Sequence, residues 1–225
     1  MPMSVTEAMN SRTSCRAFLP TPVSLATVRE ILDIARQAPS GGNLQPWHVY
    51  VLAGAPLQEL RARIRAKLPQ QPRGEGSEYD IYPREMPELY KKRVFKCGED
   101  MYATIKVARE DRPARLAQFA RNYEFFGAPV GMFFALDRRM GPPQWSDLGM
   151  LIHSIMLLAR ERGLHTCAQE SWSVWYRSVG EFLGFPPELM LFCGMALGIR
   201  DEAAPINTLR TERATLDDIA SFRGF

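Results

Sequence analysis

The residues Pro39 to Trp47, reading PSGGNLQPW, form the segment whose side chains have the clearest capacity for binding chemistry. Its pair of adjacent glycines permits positive φ and a close approach of a ligand to the backbone. Ser40, Asn43 and Gln45 both donate and accept hydrogen bonds, which suits the edge of a flat polar heterocycle better than a metal or a nucleic acid. The alternative interpretation is a plain loop that ends a helix before a strand.

A second segment with binding chemistry lies upstream, where Arg12 and Arg16 flank Thr13 and Ser14. Guanidinium groups bind phosphate bidentately, and neighbouring hydroxyls complete the shell of oxygen contacts. A positive charge there would also stabilise negative charge that develops on a reduced ring. The alternative is a solvated basic turn, which is the usual structure of such a run.

In this order along the chain, the two segments resemble the flavin-dependent nitroreductase family. Members of that family open with a short Arg-Ser-x-Arg/Lys motif and continue with PSxxNxQPW. The resemblance extends through residues 123–130 (YEFFGAPV), residues 147–164 and residues 168–171 (AQES), and to Arg210 or Arg213 before the C-terminal helix. The first two motifs are specific, whereas the last three carry weight only in combination.

This resemblance implies an α+β fold, in which a mixed, mostly antiparallel sheet is flanked by helices and a long central helix lies at a homodimer interface. It implies FMN as the cofactor and NAD(P)H as the electron donor, in a ping-pong reduction of small electrophiles such as nitroaromatics or quinones. Two alternatives stay open. One is a flavin-binding protein without turnover that serves storage or sensing, and the other is a different reaction of the same fold, such as dehalogenation or azoline oxidation.

The resemblance also assigns roles to individual residues, with the flavin itself carrying the chemistry. The cofactor-binding residues expected from it are Arg12, Thr13, Ser14, Arg16, Pro39, Ser40, Gly41, Asn43, Gln45, Asn122, Gln169, Glu170, Ser171, Arg210 and Arg213. Arg16 is expected nearest the ring, and the loop residues are expected from the partner subunit. Backbone N–H groups near Glu170 and Ser171 are expected to face the flavin N5. The chain departs from the family where Ala168 replaces a common proline and Ser171 a common glycine.

Local signals predict the elements that position the first two segments. Ser4 with Glu7 forms a capping box, which predicts a short helix that delivers the first arginine. Ser24 is the predicted N-cap of the next helix, and residues 48–53 (HVYVLA) predict a strand. Pro56 is predicted at the first helical position of the helix that follows.

The rest of the chain predicts strands at residues 130–136, 164–168 and 190–197, and helices capped at Ser146, near residues 175–183 and from Thr215. The helix that begins at Ser146 is apolar nearly all round, so it must be buried nearly all round. This pattern favours a dimer, and its alternative is a core helix of a monomer.

We expect a single domain over residues 1–225, with an irregular, lid-like insertion at about 69–122 that proline and glycine interrupt. Tyr79, Tyr82 and Trp172 are the expected substrate-binding residues. For the two tyrosines the alternative is a surface excursion without contact to the site, and for Trp172 it is the core.

Composition excludes several classes of function. The net charge is only +3, and 28 basic residues are interspersed with 25 acidic ones, so no basic face indicates a nucleic-acid partner. None of the three histidines has metal-ligand spacing, so no metal is expected. The four cysteines lack CxxC spacing and are expected to be reduced. Without a signal peptide or a spanning segment, we expect a cytoplasmic protein that does not contact membranes.

Overall fold

The computed structural model describes residues 3–225, which form helices on both faces of one sheet. The helices are α1 (Val5–Ser11), α2 (Leu25–Ala35), α3 (Gly54–Lys67), α4 (Glu88–Thr104), α5 (Arg112–Ala120), α6 (Pro142–Glu161), α7 (Tyr176–Leu183) and α8 (Leu216–Ile219). The strands are β1 (His48–Ala53), β2 (Val130–Asp137), β3 (His165–Gln169) and β4 (Leu189–Gly198). Short 3₁₀ helices occupy Gly41–Asn43, Arg121–Gly127, Glu170–Trp175 and Pro205–Thr208.

The sheet has the strand order β1-β2-β4-β3, and every neighbouring pair of strands is antiparallel. The central strands β2 and β4 are buried along almost their whole length, which explains why both read as continuous apolar runs rather than as alternating ones. One irregularity in register occurs between Phe134 and Ala135. The mixed α+β class and the antiparallel sheet predicted for this chain are therefore confirmed.

Each face of the sheet has its own hydrophobic cluster. On one face, α2 and α6 pack against β2 and β4, with Ile31, Ile155 and Phe134 fully buried. On the other face, Leu60 of α3 and Trp172 pack against the opposite side of the same strands. The sheet is thus the middle layer between two layers of helices.

Several predicted element boundaries are confirmed and others are wrong. The capping box of Ser4 with Glu7 and the N-cap at Ser24 are both present. The helix predicted to start at Ser146 instead begins at Pro142, because proline at the first position preorganises a helical turn, and the Ser146 hydroxyl donates to the Pro143 carbonyl. Likewise α3 begins at Gly54, two residues before Pro56.

The insertion predicted to be irregular is only partly so. Residues 69–87 contain turns and bends without a helix or a strand, but α4 and α5 occupy most of the remainder. Asp111 caps α5 by accepting a hydrogen bond from the Ala114 N–H, and a proline follows in the first turn. Within residues 3–225, no helix has both the length and the apolar character needed to cross a bilayer.

Helix α6 is covered on one side only by its own chain. Leu148, Leu151 and Ile155 are buried against the sheet, whereas 38% of Met150 is accessible. The all-round burial predicted for this helix is therefore not reached within a single chain.

Gly194 of β4 packs directly against Trp172, and this contact leads to a prediction about stability. A Cβ at Gly194 would lie 2.4 Å from Cδ1 of the fully buried Trp172, so we expect Gly194→Ala to destabilise the fold by about 1 to 3 kcal/mol. Gly180→Ala in α7 is the matched control, because its Cβ would meet Phe185 at an ordinary 3.6 Å. Urea unfolding of both variants measures the difference, and equal stability of the two would contradict the tight packing of Trp172 on Gly194.

Candidate functional site

A cleft of about 1410 Å³ lies at the C-terminal end of β3. Its floor is formed by Ala168 to Ser171, where β3 passes into a 3₁₀ helix. Helix α4 forms one wall, and the C-terminal segment 211–219 forms another. The cleft is large enough to hold a ring system together with a second planar molecule.

The N-terminal segment reaches this cleft because it pairs with β3. Ser14 forms a parallel bridge with Thr166, and the Cys15 N–H donates to the Thr166 carbonyl at 2.9 Å. The buried side chain of Asn207 fixes the next residue, since its Oδ1 accepts from the Arg16 N–H at 2.8 Å. The same amide donates to the Ala17 carbonyl at 2.8 Å. These contacts place Arg16 in the lining of the cleft.

Three guanidinium groups come together beside the end of β3 without a compensating acid. Burial, and next the charge of Arg213, lowers the pKa of Arg12. Burial raises the pKa of the Cys167 thiol, while the nearby Arg16 and Arg12 oppose that rise. Within residues 3–225, none of these three arginines forms an ion pair with a carboxylate. Such a cluster is suited to a bound anion.

Arg210 lies apart from this group. Its guanidinium donates to the carbonyls of Asn207 and Leu209, and it does not line the cleft. Its charge acts on His165, whose pKa is lowered to about 4 by burial first and then by Arg160, Arg200 and Arg210. Arg213, by contrast, lines the cleft.

The end of β3 presents polar atoms that have no partner within the described chain. The Gln169 amide nitrogen donates to the Asn122 carbonyl at 2.7 Å, but the buried Gln169 Oε1 and Ser171 Oγ accept or donate no hydrogen bond there. Buried polar atoms are normally satisfied, so orphaned atoms at the edge of a cleft indicate a missing ligand. The enclosing walls raise the pKa of Glu170, which lies between them.

The loop at residues 39–47 folds onto α6, away from the cleft of its own chain. The Gly41 N–H donates to the Asp147 carboxylate at 3.3 Å, and the Gln45 N–H donates to the Ser40 hydroxyl at 2.9 Å. Asn43 and Gln45 have φ of 58° and 52°, and both side chains are exposed. Strained non-glycine residues of this kind cluster at ligand sites.

The three residues predicted to contact substrate lie in different places. Tyr82 lines the cleft, where burial and then the Glu170 carboxylate raise the pKa of its hydroxyl. Tyr79 does not line the cleft; its hydroxyl donates to the Phe192 carbonyl, and its ring packs against Trp145. Trp172 is fully buried and stacked on Phe125, so it lies in the core, which was the alternative for this residue.

Several cleft residues were not predicted. On α4, Val94, Cys97 and Met101 line the cleft at helical spacing, a periodicity that is visible in the sequence. Asn207, which holds Arg16 in place, and the residues of segment 211–219 other than Arg213 had no comparable signal, because their roles depend on how the C-terminal segment folds back. The same applies to Lys96, which forms ion pairs with Asp100 and with Glu212.

Comparison with known proteins places this geometry among related folds. A family model described as "Nitroreductase family" matches residues 9–199. The chain is 38% identical over 215 residues to a 4-nitrobenzoate reductase of Pseudomonas putida, covering 96% of this chain and 93% of that protein.

Two solved structures share the whole architecture. One is the FMN and NADPH-dependent nitroreductase NfnB from Sphigopyxis sp. strain HMH, with a TM-score of 0.95, 43% identity, and coverage of 99% of this chain and 100% of that one. The other is the FMN-dependent nitroreductase NfnB from Mycobacterium smegmatis in complex with NADPH, with a TM-score of 0.92, 25% identity and coverage of 97% of each chain.

Proposed function

Because this chain belongs to the nitroreductase family, we propose that it is an FMN-dependent oxidoreductase that uses NAD(P)H to reduce small electrophiles. Nitroaromatics and quinones are the acceptor classes, and the exchange is ping-pong. The observation that carries this proposal is the cleft at the end of β3. It combines uncompensated guanidinium groups on one side with orphaned buried oxygens on its floor.

The residues present fit FMN. Arg12 and Arg213, with the hydroxyls of Thr13 and Ser14, supply positive charge and donors for its phosphate. We assign Arg213 rather than Arg210 to this role, because Arg213 faces both the cleft and Arg12. Arg16 supplies a charge for the ring edge, and Gln169, Glu170 and Ser171 lie where polar ring atoms need partners.

When bound, FMN accepts a hydride from the nicotinamide and passes electrons to the acceptor. The chain's own residues bind and orient the reactants. Tyr82 and α4 form the wall against which a flat acceptor lies, and Asn122 keeps Gln169 in place through two hydrogen bonds. Arg16 lowers the cost of negative charge at the ring edge. Solvent reaches the cleft and supplies protons.

A second copy of the chain completes the site in this proposal. Pro39, Gly41, Asn43 and Gln45 are exposed in one chain, the last two with positive φ, and Ser40 is half-buried. None of the five lines the cleft of its own chain. The accessible side of α6, on which this loop rests, is the surface that a partner would cover. A homodimer therefore brings the loop of one chain to the arginines of the other. The four free cysteines agree with a cytoplasmic location.

Turnover tests the reaction directly. The purified protein should carry FMN, NADPH or NADH should bleach its visible absorbance rapidly, and a nitroaromatic added under nitrogen should restore it. This order follows from a ping-pong exchange at one open ring face. A flavin that stays oxidised at millimolar nicotinamide would contradict the reductase reaction and favour flavin storage or sensing. A colourless protein that does not bind added FMN would contradict the whole proposal.

The two arginine roles are separable with riboflavin, which lacks the phosphate. Arg213→Ala should weaken FMN binding by about 1.5 to 3 kcal/mol and leave riboflavin binding unchanged, because it removes a charge-assisted contact to the phosphate alone. Arg16→Ala should weaken both ligands. Fluorescence titration measures the four affinities, with the exposed Arg63→Ala as control. Equal losses for FMN and riboflavin in Arg213→Ala would remove that residue from the phosphate site.

The composite site predicts complementation between two inactive variants. The variant Arg12→Ala/Arg16→Ala lacks the arginine half of the site. The variant Asn43→Ala/Gln45→Ala lacks the loop half. After unfolding and refolding together, half of the random pairs are mixed and each mixed pair has one intact site, so about a quarter of the sites should bind FMN. Each variant refolded alone is the control. Recovery no greater than the mean of the two controls would show that the loop and the arginines do not meet across two chains.

A further inference from the structure

Residues 74–82, which we call the wall segment, have no regular secondary structure and yet lead into the cleft. They connect the end of α3 with α4, the region expected from its prolines and glycines to be a loose lid. The last two residues, Ile81 and Tyr82, line the cleft, and 54% of Tyr82 is accessible. The position of the wall segment therefore sets the width of the cleft on the side of Tyr82.

The backbone of the wall segment lies directly on the 3₁₀ helix Glu170–Trp175. A Cβ at Gly74, where φ is 77°, would lie 2.5 Å from Cγ2 of Val174 and 2.6 Å from its carbonyl oxygen. The next residue, Glu75, donates its N–H to that carbonyl at 2.7 Å. Only glycine permits both the positive φ and this approach. Since Val174 also lines the cleft, the segment touches the element that forms the floor.

The Glu75 carboxylate anchors this contact. Its side chain is 8% accessible. One oxygen accepts from the Ser178 N–H at 3.0 Å, and the other accepts from the Ser178 hydroxyl at 2.5 Å and the Lys67 ammonium at 3.0 Å. Ser178 lies in the first turn of α7, where a carboxylate satisfies an otherwise free N–H group and the helix dipole. Burial alone would raise the pKa of Glu75, but these partners outweigh it and lower the pKa.

Two further contacts hold the segment beyond Glu75. The Ser77 hydroxyl donates to the Ser173 hydroxyl at 3.2 Å. Tyr79 donates to the Phe192 carbonyl, and its ring stacks on Phe192 at a centroid distance of 5.7 Å. The wall segment is thus attached to α7, to the 3₁₀ helix and to β4 before it reaches Tyr82. A mobile lid would not need a buried, charged anchor.

We propose that Glu75 is a positioning residue, which holds the wall segment on the cleft floor and thereby determines how tightly the cleft binds the electron acceptor. It lies outside the cleft lining. Its loss lets residues 74–82 move away from the 3₁₀ helix, which widens the cleft at Tyr82. The contacts of Arg12, Arg16 and Arg213 with the cofactor stay as they are. This inference rests on the proposed function.

Glu75→Ala, with Asp80→Ala as its matched control, tests the inference. Asp80 lies on the same segment, but among residues 3–225 its exposed carboxylate pairs with Arg84 alone. Glu75→Ala should raise KM for a nitroaromatic about tenfold, with kcat and FMN affinity changed less than about twofold. Amide hydrogen exchange should become faster over residues 74–82 and remain unchanged in β2 and β4. Asp80→Ala should match the wild type. Glu75→Gln, whose amide oxygen still accepts hydrogen bonds, should retain most of the wild-type KM and local exchange protection.

The outcomes are separable. Unchanged KM, a parallel loss of kcat and FMN affinity, or faster exchange throughout the sheet would each overturn the positioning role. Should Glu75→Ala fail to fold, Ser77→Ala removes a milder anchor, and unchanged KM and unchanged local exchange would together overturn the proposal. A wild-type protein that binds no FMN or reduces no acceptor would instead contradict the proposed function. The exchange comparison of Glu75→Ala with Asp80→Ala would then still decide whether Glu75 holds the segment.

Discussion

The pairing of the N-terminal segment with β3 is the interaction on which the rest of the site depends. Two backbone contacts join residues 14–15 to Thr166. They place a segment from the start of the chain beside an edge strand that lies about 150 residues further along the sequence. Asn207 then joins a third, C-terminal segment to Arg16. Three distant stretches therefore converge because ordinary backbone polar groups are satisfied there. Arg16 reaches the cleft as a consequence of that pairing.

This convergence has an electrostatic cost. Arg12, Arg16 and Arg213 come together and form no ion pair with a carboxylate among the described residues, and Arg12 is partly buried. Like charges in a partly desolvated site repel each other, so the folded chain is less stable without an anion than with one. Binding of a phosphate-bearing cofactor removes that penalty and adds stability by mass action. Cofactor affinity and folding stability are therefore coupled, because the repulsion among the arginines opposes folding and is relieved when the cofactor binds.

The elements set by local signals were predictable from the sequence, and those set by distant contacts were not. The caps at Ser4 and Ser24 depend on neighbouring residues, and strand β1 follows from its own residue types and the turns beside it. Helix α4 was missed although its apolar periodicity is visible in the sequence, because the prolines and glycines before it indicated an irregular insertion. Two features depend on how the C-terminal segment folds back over the domain. One is which of Arg210 and Arg213 reaches the cleft, and the other is the hydrogen bond from the Arg16 N–H to Asn207. No local pattern encodes that path.

The two halves of the cleft differ in how they are held, and in the proposed function this difference separates cofactor binding from acceptor choice. The half near Arg16 is attached to β3 by backbone hydrogen bonds of the sheet. The other half consists of the wall segment, α4 and residues 211–219, where Lys96 pairs with Glu212 at 3.2 Å on the surface. Exposed ion pairs contribute little to stability, so the pair of Lys96 with Glu212 cannot by itself hold this half of the cleft in place. The Glu75 carboxylate is buried and hydrogen-bonded to Ser178, so it holds the wall segment where the exposed pair cannot. In the proposed function, changes on the acceptor side would therefore leave the sheet beside the cofactor undisturbed.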